Sequence, residues 1–229
     1  MKVVLDVENT VTQRDGRSHI DPFEGGNTLT QVGLLNADNP KAIRIVTLDH
    51  NEKQDDDGSG RRIVQGILDR TTLLIMHNAQ HDLMWFWECG YKYDGPIYDT
   101  MLAEYLLLRG QKQPLSLAAC AERRNLPVQK DDTLKKYFKD GYNTNEIPLD
   151  ELSFYLEHDL RTTYELFMAL EADYSEPDAE SLKTVKQVTF DTCKTLTRMY
   201  MSGVKVDREE LERVREEFER ERADIEDRL

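Results

Sequence analysis

The amino-acid sequence predicts an α/β domain built on a mixed sheet, and three observations predict it. Three strand-like runs come first, at residues 2–8, 28–35 and 42–48. Helical and strand-like segments then alternate as far as residue 125. A long amphipathic segment, residues 150–172, follows. Early antiparallel strands succeeded by strand–helix alternation give a sheet of mixed pairing flanked by helices.

The first run reads Lys-Val-Val-Leu-Asp-Val-Glu. Val3, Leu5 and Val7 share one face of a strand, while Val4, Asp6 and Glu8 share the other. Residues 9–27 are a polar loop with Gly16, Pro22, Gly25 and Gly26, expected to be a surface excursion, although loops this long are often functional. Asp38, Asn39 and Pro40 are turn formers and join the next two runs as a hairpin. Residues 55–60 are an acidic and Gly/Ser loop. Ile63, Ile67 and Leu68 then mark a helix over 61–70 by their spacing. Residues 73–77 read as a buried strand, 80–89 as a helix and Ile97 as a short strand. Residues 99–109 and 115–125 read as amphipathic helices. Leu152, Tyr155, Leu156, Leu160, Tyr164 and Phe167 recur at helical spacing across 150–172.

Composition bounds the function. With 229 residues, 39% hydrophobic and 32% charged, the chain can bury a sizeable core and reads as soluble and globular. No apolar run approaches the ~20 residues of a membrane span, and the start lacks the pattern of a signal peptide. Cys89, Cys120 and Cys193 lack metal spacing and read as reduced thiols in a cytoplasmic protein. A net charge of −14 argues against a broad duplex-coating surface. It leaves room for a small nucleic-acid site whose positive charge comes from bound metal.

Three short patterns carry chemistry. Asp6 and Glu8 point the same way from one rigid strand, so each raises the other's pKa, and a hard divalent cation relieves the repulsion. The same spacing at Asp178/Glu180, Asp207/Glu209 and Asp224/Glu226 falls in helical stretches, where i and i+2 do not face each other. The second pattern is Asn78-Ala-Gln-His-Asp82, where a strand gives way to a helix. Ligands of open α/β sheets gather at such strand ends. A similar Asn51–Asp55 spacing has no strand before it, and His81 reads as a packed neighbour rather than a ligand. The third is Tyr155 and Asp159, one helical turn apart on one face. Its rival, Tyr174 and Asp178, contains Pro177, which spoils the helix.

In this order the patterns resemble the 3′–5′ exonuclease superfamily with four acidic metal-site residues, tyrosine subclass (DnaQ-like, DEDDy). The chain is most similar to the proofreading domain of family A, DNA polymerase I-type polymerases. Asp6 and Glu8 match the first motif, Asp82 the second, and Tyr155 and Asp159 the third. The segment from Asp99-Thr resembles the helix that follows the second motif, and Leu115-Ser-Leu-Ala the next helix. His81 departs from the pattern, since an aromatic often precedes the second Asp. The histidine subclass needs His where this chain has Phe154. The resemblance covers residues 1 to about 175. It implies an RNase H-like fold with a mixed five-stranded sheet and a C-terminal helical appendage. It implies two divalent metal ions, Mg²⁺ or Mn²⁺, held by Asp6, Glu8, Asp82 and Asp159, with Tyr155 orienting the attacking water. The expected catalytic set is therefore Asp6, Glu8, Asp82, Tyr155 and Asp159. The expected activity is removal of nucleoside 5′-monophosphates from DNA 3′ ends. RNA trimming, or a non-catalytic interaction module, stays open.

Two parts are expected: an exonuclease domain over 1–175 and a helical linker over 176–229. Leu182, Val185, Val188, Thr189, Thr192, Leu196, Met199 and Tyr200 suggest one long helix, stopped by Gly203. A charged helix follows Asp207, with Leu211, Val214, Phe218, Ile225 and Leu229 as its apolar seam and Glu209–Arg213 and Glu216–Arg220 as i,i+4 pairs. Residues 199–207 resemble the segment joining exonuclease to polymerase in family A enzymes, so the chain reads as a fragment or one half of a split polymerase. None of the family's nucleotidyl-transfer motifs is present. The expected partners are the 3′ end of single-stranded DNA and a polymerase domain, in cis or as a separate subunit, with no membrane. The expected location is the cytoplasm of a bacterial or phage-infected cell.

Overall fold

In a computed structural model, residues 1–127 and 133–228 are described. One five-stranded sheet holds β1 (Lys2–Asn9), β2 (Leu29–Asn36), β3 (Ile43–Thr47), β4 (Leu73–Met76) and β5 (Ile97–Asp99) in the order β3-β2-β1-β4-β5. β1 sits at the centre, antiparallel to β2 and parallel to β4. The predicted hairpin is β2–β3, and β4 pairs with β5 in parallel. The alternation read in β1 is real, but its apolar members are buried on both sides: Val3, Val4 and Leu5 are all at most 1% exposed. Helices cover both faces of the sheet; within β1, Lys2 at its start is exposed and Asp6 and Glu8 are half-buried, while the rest is buried.

The helices are α1 (Ser59–Leu68), α2 (Ala79–Glu88), α3 (Thr100–Leu107), α4 (Leu117–Arg123), α5 (Thr133–Lys139), α6 (Leu149–Ser175), α7 (Glu180–Ser202) and α8 (Arg208–Glu226). α5 falls in a stretch the sequence left unassigned. Pro148 is the N-cap of α6, and Asp150 and Glu151 lie in its first turn where the helix dipole favours them. Its stripe of Leu152, Leu156, Leu160, Phe167 and Leu170 is buried. A Cβ on Gly33 of β2 would lie 2.7 Å from Leu160 Cδ1 and 2.9 Å from Leu156 Cγ. The missing side chain is what lets α6 lie against the sheet.

Residues 9–27 are a surface excursion, as expected, but an ordered one. They hold a small hairpin, Thr12–Arg14 against Arg17–His19. Asn27 bonds to Thr12 Oγ1, His19 O and Asp21 O, and Trp85 donates to Ile20 O at 3.2 Å. Asn143 clamps Val11 from both sides, accepting from its N–H and donating to its carbonyl.

Contacts divide the chain into a compact unit, Met1–Thr197, and a second beginning at Arg198. Within the first, α7 is fixed by Phe190, whose ring centroid lies 5.0 Å from that of Tyr98. Lys194 Nζ also donates to the Asp94 and Gly95 carbonyls. In the second, α8 buries no residue. Leu211, Phe218 and Ile225 of the predicted seam are exposed, and Leu229 lies outside the described residues. Its charge pairing is shifted from expectation. Arg213 pairs with Glu210 and Glu217, and Arg220 donates to the Glu216 carbonyl. No helix among the described residues is long and apolar enough to cross a membrane.

Candidate active site

The carboxyl ends of the parallel neighbours β1 and β4 lie on the same side of the sheet. β1 delivers Asp6 and Glu8 there; β4 leads through Asn78 into α2, whose first turn holds Asp82. α6 crosses β1 and β2 on the Gly33 side and brings Tyr155 and Asp159. In register, Asp6 stands opposite Gly33. The glycine that admits α6 is thus cross-strand neighbour to the first carboxylate.

The electrostatics place the five predicted residues within reach of one another. Burial, reinforced by the charge of Asp159 and opposed by the Val7 N–H, pushes Asp6 up to about 8. Burial, then Asp6 and Asp159, holds Glu8 well above the usual carboxylate range. Burial, then Asp6 and Asp99, with a further push from Glu8, does the same to Asp82. Tyr155 hydrogen-bonds to Asp159. Burial first, and then the charges of Asp159, Glu8 and Asp6, raise its phenol above the ordinary range. Four carboxylates this close together cannot all ionise without a counter-charge.

Several supporting residues escaped sequence reasoning. Asp99 is buried and accepts from Ala79 N at 2.8 Å, Met101 N at 2.9 Å and Leu102 N at 3.1 Å. One carboxylate therefore fixes the starts of both α2 and α3, and with α2 the position of Asp82. Asn78, at the N-cap of α2, is left-handed (φ 69°) and makes no side-chain cap, which leaves that task to Asp99. His77 lies between Thr100 Oγ1 and the Leu115 carbonyl, 2.9 Å from each. Gln31, opposite Glu8, donates to Ser153 Oγ of α6 at 2.7 Å and so ties β2 to the helix two residues before Tyr155. The only sequence signal for Gln31 was a polar residue inside an apolar strand. The long-range pairings of Asp99 gave no signal at all.

The rivals have other roles. Asp55 caps the start of α1 through Gly60 N and Arg61 N. Asp207 caps α8 through Glu209 N and Glu210 N. His81 lies 2.9 Å from Asn9 Oδ1, and burial lowers its pKa. His158 Nδ1 is 3.9 Å from Asp159 Oδ1.

The donor set suits a hard divalent cation: all-oxygen, mutually repelling, with Asp82 Oδ1 buried and without a hydrogen-bond partner. Among the described residues, no three His, Cys, Asp or Glu side chains are closed around a common point.

A mixed five-stranded sheet of this order, flanked by helices and carrying acidic residues at its strand ends, defines the RNase H-like class of fold. The chain belongs to the 3′–5′ exonuclease family of the DNA polymerase A type, whose model matches residues 28–174. That span includes Asp82, Tyr155 and Asp159; Asp6 and Glu8 precede it. Over its whole length the chain is 28% identical to a DNA polymerase of Bacillus phage SP01. It spans 26% of that relative. Among solved structures it is similar to the apo form of a nuclease, with TM-score 0.62, 15% identity, and 90% and 88% of the two chains covered. It is also similar to Brucella melitensis NrnC with bound Mg²⁺, with TM-score 0.59, 16% identity, and 90% and 89% covered. The same nuclease bound to pGG gives TM-score 0.59 at 15% identity, covering 90% and 88%. These likenesses concern the fold.

Proposed function

We propose that this chain is a metal-dependent 3′–5′ exonuclease that removes nucleoside 5′-monophosphates from single-stranded DNA 3′ ends and proofreads for a family A polymerase. What supports the reading is the mutual proximity of Asp6, Glu8, Asp82, Tyr155 and Asp159, delivered by β1, α2 and α6, together with the family match. Asp6, Glu8 and Asp159 would hold one divalent ion, Mg²⁺ or Mn²⁺, and Asp6 with Asp82 a second. When bound, the ions supply charge neutralisation, polarisation of the phosphate and activation of water. Tyr155 does the rest from the protein side. Its hydroxyl is hydrogen-bonded to Asp159, and burial together with the neighbouring carboxylates raises its pKa. It can therefore orient a water towards the terminal phosphodiester. Asp99 keeps α2, and so Asp82, in place for that geometry.

Residues 1–175 form the catalytic domain of this reading, and 176–229 lead towards a polymerase domain supplied in the same polypeptide or as a separate subunit. Similarity along the whole chain to part of a phage DNA polymerase supports the linkage. A second reading, trimming of RNA, draws on the likeness to the nuclease bound to pGG. One assay separates them. End-labelled single-stranded DNA and RNA are incubated with Mg²⁺, Mn²⁺ or EDTA, and products are resolved by length. DNA shortened stepwise from its 3′ end, with no cleavage in EDTA, is the expected result. Faster RNA degradation would favour the second reading, and full activity in EDTA would sink both.

A further inference from the structure

Beneath α6, a row of polar side chains crosses three strands of the sheet. In register, Glu8 of β1 stands opposite Gln31 of β2, and Gln31 stands opposite Thr47 of β3. Directly opposed residues project to the same face. The neighbouring row on that face is Asp6, Gly33 and Ile45. Gln31 is 0% exposed. Its Nε2 donates to Thr47 Oγ1 at 3.2 Å and to Ser153 Oγ of α6 at 2.7 Å. Its Oε1 is buried and has no hydrogen-bond partner.

We infer that Gln31 is a positioning residue for the exonuclease reaction, which through Ser153 fixes the register of α6 and so the placement of Tyr155 against Glu8. The inference rests on the exonuclease reading above. Three observations carry it. The first is location. One side chain joins the position opposite Glu8 to the helix two residues before Tyr155. The second is direction. α6 rests on β2 through Leu156 and Leu160, which lie over Gly33. That contact is apolar and non-directional, so it sets how close the helix comes but resists small rolls and slides weakly. A hydrogen bond weakens steeply with misalignment, so the bond from Gln31 supplies the missing direction. Tyr155 lies between these two contacts in the chain.

The third is cost. A buried acceptor without a donor subtracts from stability. Met is unbranched and adaptable, fills similar space and leaves no orphan. Thr47 and Ser153 keep hydroxyls that can turn to other partners. Gln31 thus serves placement at the expense of stability, and the two can be separated by experiment.

Gln31→Met, Ser153→Ala, Ser153→Thr and the double variant Gln31→Met with Ser153→Ala are made in the full chain. Single-turnover cleavage of labelled dT12 with Mg²⁺ is followed over a range of protein concentrations, beside Mn²⁺ titration and thermal melting. Gln31→Met should melt at or above the wild-type Tm, yet its maximal cleavage rate should fall by about 10- to 100-fold, the scale of a misplacement of roughly 1 Å. Half-saturation for dT12 and Mn²⁺ affinity should stay within twofold. Ser153→Ala should be slowed to a similar degree, and Ser153→Thr, which keeps the hydroxyl, should cleave as wild type does. The double variant should be no slower than the slower single one, because both cut one link. A Gln31→Met rate within twofold of wild type overturns the proposal. So does a loss confined to dT12 binding, a loss that tracks a fall in Tm, or effects that multiply in the double variant. If Gln31→Met does not fold, the two Ser153 variants decide alone, and equal rates for them overturn the link. A wild-type chain that leaves DNA uncut with Mg²⁺ defeats the exonuclease reading instead. The link is then read from amide hydrogen exchange over residues 149–157. Gln31→Met or Ser153→Ala should speed that exchange by about 3- to 10-fold, the scale of one lost hydrogen bond, and unchanged exchange overturns the link.

Discussion

Asp6/Glu8 and Asp207/Glu209 have the same spelling and opposite fates. The first pair projects from the central strand, under α6, into a cleft where each charge is felt by others. The second begins an exposed helix, where Asp207 accepts two N–H groups and no residue of α8 is buried. The contrast teaches that acidic spacing is chemically silent until an element fixes its direction and a neighbour removes its water. α6 and α8 repeat the lesson. Both are long and acid-rich, but only α6 has a stripe buried against the sheet, and only α6 presents an acid to the cleft.

The sharpest way to break this comparison is to delete each pair. Asp6→Ala with Glu8→Ala should lower exonuclease turnover by more than about a thousandfold, because the metal-holding oxygens of β1 are gone. Asp207→Ala with Glu209→Ala should leave it within twofold. Activity of the first double mutant within tenfold of wild type would remove Asp6 and Glu8 from the site. Next in size is Tyr155→Phe. Loss of the orienting hydroxyl should slow single-turnover cleavage by roughly 10- to 1,000-fold with Mn²⁺ affinity unchanged. Asp159→Asn should lose metal affinity as well. A Tyr155→Phe chain as fast as wild type returns the tyrosine to the core.

Gly33→Ala probes the packing that creates the difference. The added methyl meets Leu160 and Leu156, so a cost of about 1–3 kcal/mol in chemical denaturation is expected. Turnover should fall with it as α6 is pushed from β1. Full activity together with unchanged stability would show that α6 has room to spare.

A smaller effect follows from the raised carboxyl of Asp6. Unfolded, it ionises near 3.8; folded and metal-free, near 8. Between those values the folded state binds the extra proton, so stability falls as pH rises and the loss is complete above about 8. In EDTA, Asp6→Asn should therefore gain on wild type between pH 5 and pH 8, by at least about 2 °C in Tm. Saturating Mg²⁺ should erase the gain. A constant difference across that range would contradict the burial of the carboxylate. Smallest is Asp207→Ala alone, which should cost α8 about 1 kcal/mol, read as faster amide exchange in its first turn.

Much of this architecture was legible in the chain itself. The alternation of β1, the turn at 36–40 and the apolar spacing of α6 are local patterns. They fixed which side chains share a face, and so the pairing of Asp6 with Glu8 and of Tyr155 with Asp159. The order of the three motifs carried the family. Other features were invisible because their partners are distant in sequence. Nothing around Asp99 announces that it caps α2, twenty residues earlier, as well as its own helix. The small hairpin within 9–27 depends on Asn143 and Trp85. α5 has seven residues, and its anchor Leu134 packs against Ile147 and Leu152, so a short window lacked the signal.

By itself, then, the sequence determined the longer elements, their faces and the residues that could act together, because periodicity and capping are short-range physics. Only the tertiary structure decided that three separate elements converge. Convergence needs a bare Gly33 beneath α6, a buried Asp99 holding α2, and strands whose carboxyl ends point one way. Those are contacts between residues far apart in the chain. Their energy comes from burial and from hydrogen bonds completed away from water, and neither can be read at a single position.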